Sequence, residues 1–135
     1  MFARLGEPGF EERAAGKKAG QLHRLLERGM QVPAGFVVPA DMDLAQVSDA
    51  DFEAAVRGIG GWPVAVRSSG VLEDLADMSF AGQYQSYLNV ASCADLRQKV
   101  EACRASCRTD QIRAYLSRHA LDPADATVSA LVQRM

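Results

Sequence analysis

A chain of 135 residues with 48% hydrophobic and 24% charged residues is long enough for one globular domain with a buried core. Its formal net charge of −2 gives no general attraction to nucleic acid or to an anionic membrane. The sequence has no stretch like a transmembrane helix or a signal peptide, and its three cysteines are typical of reduced thiols. We therefore expect a cytoplasmic protein with no nucleic-acid or membrane partner.

The first predicted helix runs from about Ala14 to Arg28 and follows an irregular arm over residues 1–12. Its apolar stripe contains three leucines, and Gly29 is the expected stop. Lys17 and Lys18 lie in the first turn, where the helix dipole favours anions rather than cations. The pair is either a functional feature or two solvated lysines, and the spacing alone leaves both interpretations open.

A short strand and a second helix follow. The strand covers residues 36–38 and is ended by Pro39. Ser48, with Asp51 three residues later, is a variant of the capping box and predicts a helix that ends near Gly58.

The apolar run that begins at Val64 predicts a buried strand, which then opens into a loop of small residues at 68–70. Because side chains alternate along a strand, Arg67 faces away from Val64 and Val66. An arginine beside a loop of small residues can hold a polyanion. The alternative is a β-hairpin with a long loop, in which Arg67 only forms an ion pair; the second strand would be residues 84–90.

Neither the acidic residues nor the cysteines and histidines predict a metal site by themselves. The acidic loop with Glu73, Asp74 and Asp77 faces either a divalent cation or solvent. No Cys-x-x-Cys or Cys/His cluster occurs, so no zinc site is predicted. His23 and His119 have no nucleophile near them in the sequence, and we assign neither of them a catalytic role.

The next predicted helix is capped by Ser92. Leucine, valine and cysteine recur on one face at helical spacing, so Cys103 and Cys107 are predicted to lie in the core rather than to bind a metal. Thr109 is predicted to cap a further helix, which ends before Pro123.

The last segment, Thr127 to Met135, is predicted to be an interior strand because apolar side chains occupy both of its alternating sets of positions. The sequence ends within this strand, which we interpret as a sign of a longer protein. One face, or one face and one edge, of this strand would then lack cover; an uncovered edge pairs with other chains, and an apolar patch tends to become an interface. We therefore expect self-association through this strand, and expect Leu131→Lys or Val132→Lys, whichever faces outward, to favour the monomer.

Four motifs together resemble the N-terminal ATP-binding region of the family of phosphoenolpyruvate synthase, pyruvate phosphate dikinase and rifampin phosphotransferase. In that family Gly-Gly-Lys-Gly-Ala-Asn-Leu precedes a helix and then Val-Pro-x-Gly-Phe. Val-Arg-Ser-Ser, Glu-Asp and Ser-Phe-Ala-Gly-Gln follow, and Val-Gln-x-Met comes last. The corresponding stretches in this sequence are residues 16–22, 32–36, 66–69, 73–74, 79–83 and 132–135.

The resemblance implies a nucleotide site residue by residue. The phosphate-contacting lysine of the family corresponds to Lys18, and its phosphate-binding arginine corresponds to Arg67. The glycine of the loop near the nucleotide is Gly82, and the small hydroxyl residue of the next strand is Ser86, where relatives often have threonine. The glutamine near the base is Gln133. No catalytic residue and no metal ligand of the family has a counterpart in this sequence.

Two features depart from the family pattern. Lys17 replaces the second glycine of the first motif, and the segment between Phe36 and Val64 is short compared with many relatives. The second half of the family's ATP-binding region, with its acidic metal ligands and a further glutamine and arginine, has no counterpart. Neither the phosphohistidine domain nor the acceptor-binding domain of the family has one.

The resemblance implies an α+β fold, with helices packed on a mixed sheet, like the first subdomain of an ATP-grasp nucleotide-binding domain. Residues 1–135 would be a partial domain of a phosphotransferase that moves a phosphoryl group from ATP via phosphohistidine to pyruvate or a similar small acceptor. ATP would be the ligand, and Mg²⁺ would be held mainly by residues outside this chain. The alternative is a stand-alone, non-catalytic nucleotide-binding or regulatory module.

Overall fold

The computed structural model describes residues 2–11, 15–70, 86–105, 114, 117, 118, 120 and 128–135. In this part of the chain the elements are, in order, β1 (Ala3–Arg4), α1 (Lys17–Glu27), β2 (Gly35–Val38), a 3₁₀ helix (Leu44–Gln46), α2 (Asp49–Gly58), β3 (Val64–Gly70), β4 (Ser86–Val90), α3 (Cys93–Ala105) and β5 (Val128–Arg134). None of the helices in these residues has the length and apolar character needed to cross a membrane.

The five strands form one sheet in the order β1-β2-β5-β3-β4. Helices and a sheet occur together, so the prediction of an α+β fold is confirmed. Every pairing among the described strands is antiparallel, which corrects the prediction of a mixed sheet. Strand direction depends on where the chain returns after each connection, and the hydrophobic pattern of a single strand carries no information about that return.

β5 is the central strand of the sheet, with β2 on one edge and β3 on the other. Residues 128–133 are buried, and both Leu131 and Val132 are fully buried. The prediction of an interior strand is therefore confirmed. The expected uncovered face and edge are wrong, and with them the reason for self-association through this strand, because both faces are buried and neighbouring strands already use both edges. Neither Leu131 nor Val132 faces outward.

The sheet has two differently covered faces. The face that we call the two-helix face carries alternate side chains of the three central strands, packed with α2 and α3. Its buried sheet residues, including one from β4, are Phe36, Val38, Val64, Val66, Val90, Ala130 and Val132. On the opposite side, which we call the α1 face, Val37 and Leu131 pack with Ala19 and Leu22 of α1. The polar positions of the resemblance lie on the α1 face.

The helix boundaries follow the capping residues. Ser48 and Asp51 form the predicted capping box of α2, with both reciprocal hydrogen bonds at 3.1 Å, and α2 ends at Gly58 as predicted. Ser92 accepts a hydrogen bond from the backbone of Asp95 and so caps α3, also as predicted. Of the helix predicted after Thr109, the structure describes residues 114, 117 and 118, which are helical, and the rest lies outside the described residues.

Burial explains the raised pKa of the two cysteine thiols that the structure describes. Cys103 is fully buried beside Leu96 and Val100, so its predicted core position is confirmed, whereas Cys107 lies outside the described residues. Burial raises the pKa of the Cys103 thiol to about 12. Burial, followed by a hydrogen bond from Sγ to Glu53 at 3.3 Å, raises the pKa of Cys93 to about 11. Both thiols are therefore protonated and weakly nucleophilic at neutral pH.

We expect Cys93 and Cys103 to resist alkylation at neutral pH until the chain unfolds. Because their folded-state pKa lies above the ordinary value of 9.0, the neutral thiols favour the folded state below pH 9, and this contribution is lost as the pH rises towards 11–12. Peptide-resolved mass spectrometry after iodoacetamide treatment measures the protection. Alkylation of Cys103 as fast as in denaturant would contradict its buried position.

Candidate functional site

Two of the sequence motifs meet at one end of the sheet. The ammonium group of Lys18 donates a hydrogen bond to the carbonyl oxygen of Ser68 at 3.0 Å, across a separation of 50 positions in the chain. The backbone N–H of Ala19 donates to Ser69 Oγ at 3.1 Å. The first turn of α1 is thus held against the end of β3, and Lys18 lies next to the strand that carries Arg67.

Gly16 allows this close approach. It precedes α1 with φ 88°, and a Cβ at this position would lie 2.3 Å from the carbonyl oxygen of Ser69. Only glycine fits both the left-handed backbone and the contact. Gly16 is also the N-cap residue of α1. The helix therefore begins at Lys17, rather than at about Ala14 as predicted. Lys17 is an exposed residue of the helix proper, so its replacement of a family glycine creates no contact problem here.

Residues 68–70 differ from the expectation. They do not open into a loop but continue β3 to Gly70, paired one to one with residues 128–130 of β5. The backbone groups that face β5 therefore belong to a sheet ladder and are not available to a ligand. β5 lies about sixty residues later in the chain, so the local sequence around Ser68 could not predict that a partner would extend the strand.

Arg67 lies on the α1 face, as the alternation predicts. It is directly opposite Leu131 of β5 on one side and Ser86 of β4 on the other, and residues paired in this way share a face of the sheet. Its side chain is half-buried, and Nε is buried with no hydrogen-bond partner in the structure. β3 and β4 do pair antiparallel, as the hairpin alternative predicts, and residues 71–85 between them lie outside the described residues. Within the described residues, however, no carboxylate forms an ion pair with Arg67.

Ser86 and Gln133 also lie on the α1 face, in different surroundings. Ser86 is exposed and directly beside Arg67. Gln133 is buried, and its Nε2 donates to the carbonyl oxygen of Pro33 at 3.3 Å. Gln133 pairs with Ala65, two positions before Arg67, which places it about 7 Å along the strands on the side away from Lys18. Gly82 lies outside the described residues.

The Val-Pro-x-Gly-Phe motif supports Gln133. Gly35 is paired with Gln133 across β2 and β5. A Cβ on Gly35 would lie 2.8 Å from the carbonyl oxygen of Val132 and 2.9 Å from Cγ of Gln133. The motif glycine therefore leaves room for the glutamine side chain, while the motif proline supplies the carbonyl oxygen that the amide contacts.

Sequence reasoning missed Ser69, which is fully buried on the α1 face. The N-terminus of α1 is the sequence feature that could have indicated a role for Ser69. Gly16 has no side chain with which to cap its own helix, so an orphan N–H in the first turn needs an acceptor from elsewhere. Ser69 supplies this acceptor.

His23 has a structural environment. Its Nδ1 accepts a hydrogen bond from the backbone N–H of Gly6 at 2.9 Å, and its ring stacks on Phe10 with centroids 4.3 Å apart. It therefore fixes the N-terminal arm to α1. Among the described residues no group of three or more His, Cys, Asp or Glu side chains could hold a metal ion. His119 and the acidic loop with Glu73, Asp74 and Asp77 lie outside them.

Comparison with known families matches residues 44–135 to the family described as pyruvate phosphate dikinase, AMP/ATP-binding domain. The chain belongs to this family. The match includes β3, β4, α3 and β5, and therefore Arg67, Ser86 and Gln133. It does not include Lys18, whose assignment depends on the first motif and on the contact of that motif with β3.

Curated relatives extend the comparison. The chain is 43% identical over 72 residues to the phosphoenolpyruvate synthase of Pyrococcus furiosus, a match that covers 53% of this chain and 9% of that protein. It is 41% identical over 71 residues to the rifampicin phosphotransferase of Bacillus subtilis, covering 53% and 8%. An uncharacterized phosphotransferase of B. subtilis is 27% identical over 145 residues, covering 88% of this chain and 17% of the relative. The chain thus spans less than a fifth of the length of each of these relatives.

Proposed function

We propose that this chain is the ATP-binding part of a phosphotransferase, and that the α1 face carries the nucleotide. Lys18 and Arg67 would contact the phosphates, with Ser86 beside Arg67 and Gly82 near the nucleotide. Gln133 would lie near the base. The activity of a whole protein of this family would be transfer of a phosphoryl group from ATP, through a phosphohistidine, to pyruvate or a similar small acceptor.

The observation that carries the proposal is the meeting of two cationic motifs far apart in the sequence. Lys18 contacts the carbonyl oxygen of the residue next to Arg67, and Nε of Arg67 is buried without a hydrogen-bond partner in the structure. A buried donor without a partner is costly, and an anion that accepts from it would remove the cost. Lys18 contacts Ser68 in this arrangement, and an ammonium group can donate to more than one acceptor.

Charge placement is the chemistry that these residues can supply. Arg67 presents a rigid planar fork that fits phosphate oxygens, and Lys18 presents a mobile point charge. Together they would hold and neutralise phosphates, which is the main contribution of a protein to phosphoryl transfer. The described residues offer no ligand set that fits Mg²⁺, so no step is assigned to the metal. The acidic ligands that the family resemblance implies would lie mainly in the rest of the protein.

The wider architecture and location belong to the same proposal. We infer an ATP-grasp arrangement in which the sheet described above forms the first subdomain and a second half closes over the nucleotide. A cytoplasmic location is consistent with protonated, buried thiols at Cys93 and Cys103.

Isothermal titration with ATP, performed on the protein at the length that its host produces, tests the proposal. We expect saturable binding that is weakened by Lys18→Ala. Absence of binding would reject the proposed function. The intact mass of the protein from its own cell separates the enzyme, several hundred residues longer, from a stand-alone nucleotide-binding module.

We expect the 135-residue chain by itself to release no phosphate from ATP above a protein-free control. The reason is that a phosphoryl transfer site needs positioned metal and acceptor groups in addition to two cations. A colorimetric phosphate assay measures this. Phosphate release that Lys18→Ala abolishes would show that the chain carries a complete site.

A further inference from the structure

We propose that Ser69 is a positioning residue for Lys18, acting through the N-terminus of α1. The proposal rests on the proposed function, because the role of Lys18 in nucleotide binding is part of it. Ser69 would not touch the nucleotide. Its hydroxyl would fix the first turn of α1, and thereby fix the distance between the Lys18 ammonium group and the side chain of Arg67 on the same strand.

The hydrogen bond from Ala19 to Ser69 is the link between helix and strand. Both residues are fully buried, and the donor and acceptor atoms are 3.1 Å apart. Gly16 offers no capping side chain, so removal of the Ser69 hydroxyl would leave the Ala19 N–H without its acceptor in a dry environment. The first turn of α1 would then have to move outward to hydrate this donor.

Such a movement would affect Lys18 directly. Lys18 precedes Ala19 in the first turn of α1, and its contact with the Ser68 carbonyl oxygen lies one residue before Ser69 on β3. The two hydrogen bonds therefore join consecutive residues of the helix to consecutive residues of the strand. Loss of one of them would loosen the other, whereas Arg67, whose backbone is paired with β4 and β5, would stay in place.

Lysine reactivity tests the positioning without requiring a nucleotide. We propose to acetylate wild type and Ser69→Ala under limiting reagent and to compare Lys18 with exposed Lys17 by mass spectrometry. Lys18 should react more slowly than Lys17 in wild type. In Ser69→Ala the ratio of Lys18 to Lys17 reactivity should rise about fivefold, in keeping with the loss of one helix cap. An unchanged ratio would overturn the proposal.

Two further variants make this result specific. Gly16→Ala would push the same helix terminus away without removing the hydroxyl, because its Cβ would collide with the Ser69 backbone. It should raise the reactivity ratio in the same direction. Ser92→Ala removes the cap of α3, an interaction of the same kind. Ser92→Ala should leave the reactivity ratio unchanged, and an equal rise there would mean that Ser69→Ala acts only through general stability.

ATP titration of a double-mutant cycle connects Ser69 to the site. In the background that keeps Lys18, Ser69→Ala should weaken ATP binding about fivefold. In the Lys18→Ala background, the same substitution should have little effect on ATP binding. If Ser69→Ala lowered ATP affinity by the same factor in the Lys18→Ala background, the proposal that Ser69 acts through Lys18 would be overturned. If wild type binds no ATP, the proposed function fails, whereas the lysine reactivity ratio still decides whether Ser69 positions Lys18.

Discussion

Leu131→Lys is expected to unfold the chain. Leu131 is fully buried in the central strand, where it packs with Val37 and with Ala19 of α1. A lysine there would place an ammonium group in an apolar contact region with no carboxylate across the strand pairs, since the residues opposite it are Val37 and Arg67. An unpaired buried charge costs about 3–5 kcal/mol or more. This loss is comparable with the whole stability of a small domain, which is about 5–15 kcal/mol.

Urea denaturation followed by the fluorescence of the single tryptophan, Trp62, measures this effect. Trp62 packs against the core on the two-helix face, so its emission reports the folded state without contact with the mutated side chain. Met135→Lys is the matched control, because Met135 follows β5 and its side chain is 52% exposed. It should change the midpoint little. A folded Leu131→Lys chain that is merely more monomeric would show that β5 is exposed.

Arg67→Ala is expected to weaken ATP binding by about ten- to hundredfold while the fold stays intact. Each charge-assisted hydrogen bond lost to a phosphate is worth about 1.5–3 kcal/mol, and about 1.4 kcal/mol corresponds to tenfold in affinity. The fold should tolerate the change because Nε of Arg67 has no hydrogen-bond partner in the structure. Removing this side chain therefore breaks no hydrogen bond or ion pair with the described residues.

Isothermal titration of the variants, paired with thermal unfolding, separates binding from stability. Arg57→Ala is the matched control, since Arg57 is an exposed arginine in the last turn of α2, a helix that covers the opposite face of the sheet. It should bind ATP as wild type does. Arg67→Lys keeps the charge but loses the planar fork, so its affinity should lie between wild type and Arg67→Ala. Equal ATP affinity of wild type and Arg67→Ala would remove Arg67 from the site.

Features that depend on neighbouring residues could be predicted from the amino-acid sequence. The cap at Ser48 and the end of α2 at Gly58 follow from contacts within a few residues, and both were predicted correctly. The placement of Arg67 away from Val64 and Val66 follows from strand alternation alone. The apolar pattern of the last strand likewise predicted burial on both of its faces, which the structure confirms.

Features that depend on distant partners could not be predicted in this way. Ser68 and Ser69 look like loop residues until β5 pairs with them, and the capping role of Ser69 exists only because α1 lies against the end of β3. Whether the edges of β5 are paired could be judged only when both of its neighbouring strands were known. These features depend on the contacts of β3 with β5 and with α1, which join residues fifty or more positions apart in the chain. A local pattern can indicate that a residue needs such a partner, but the folded chain determines which partner it meets.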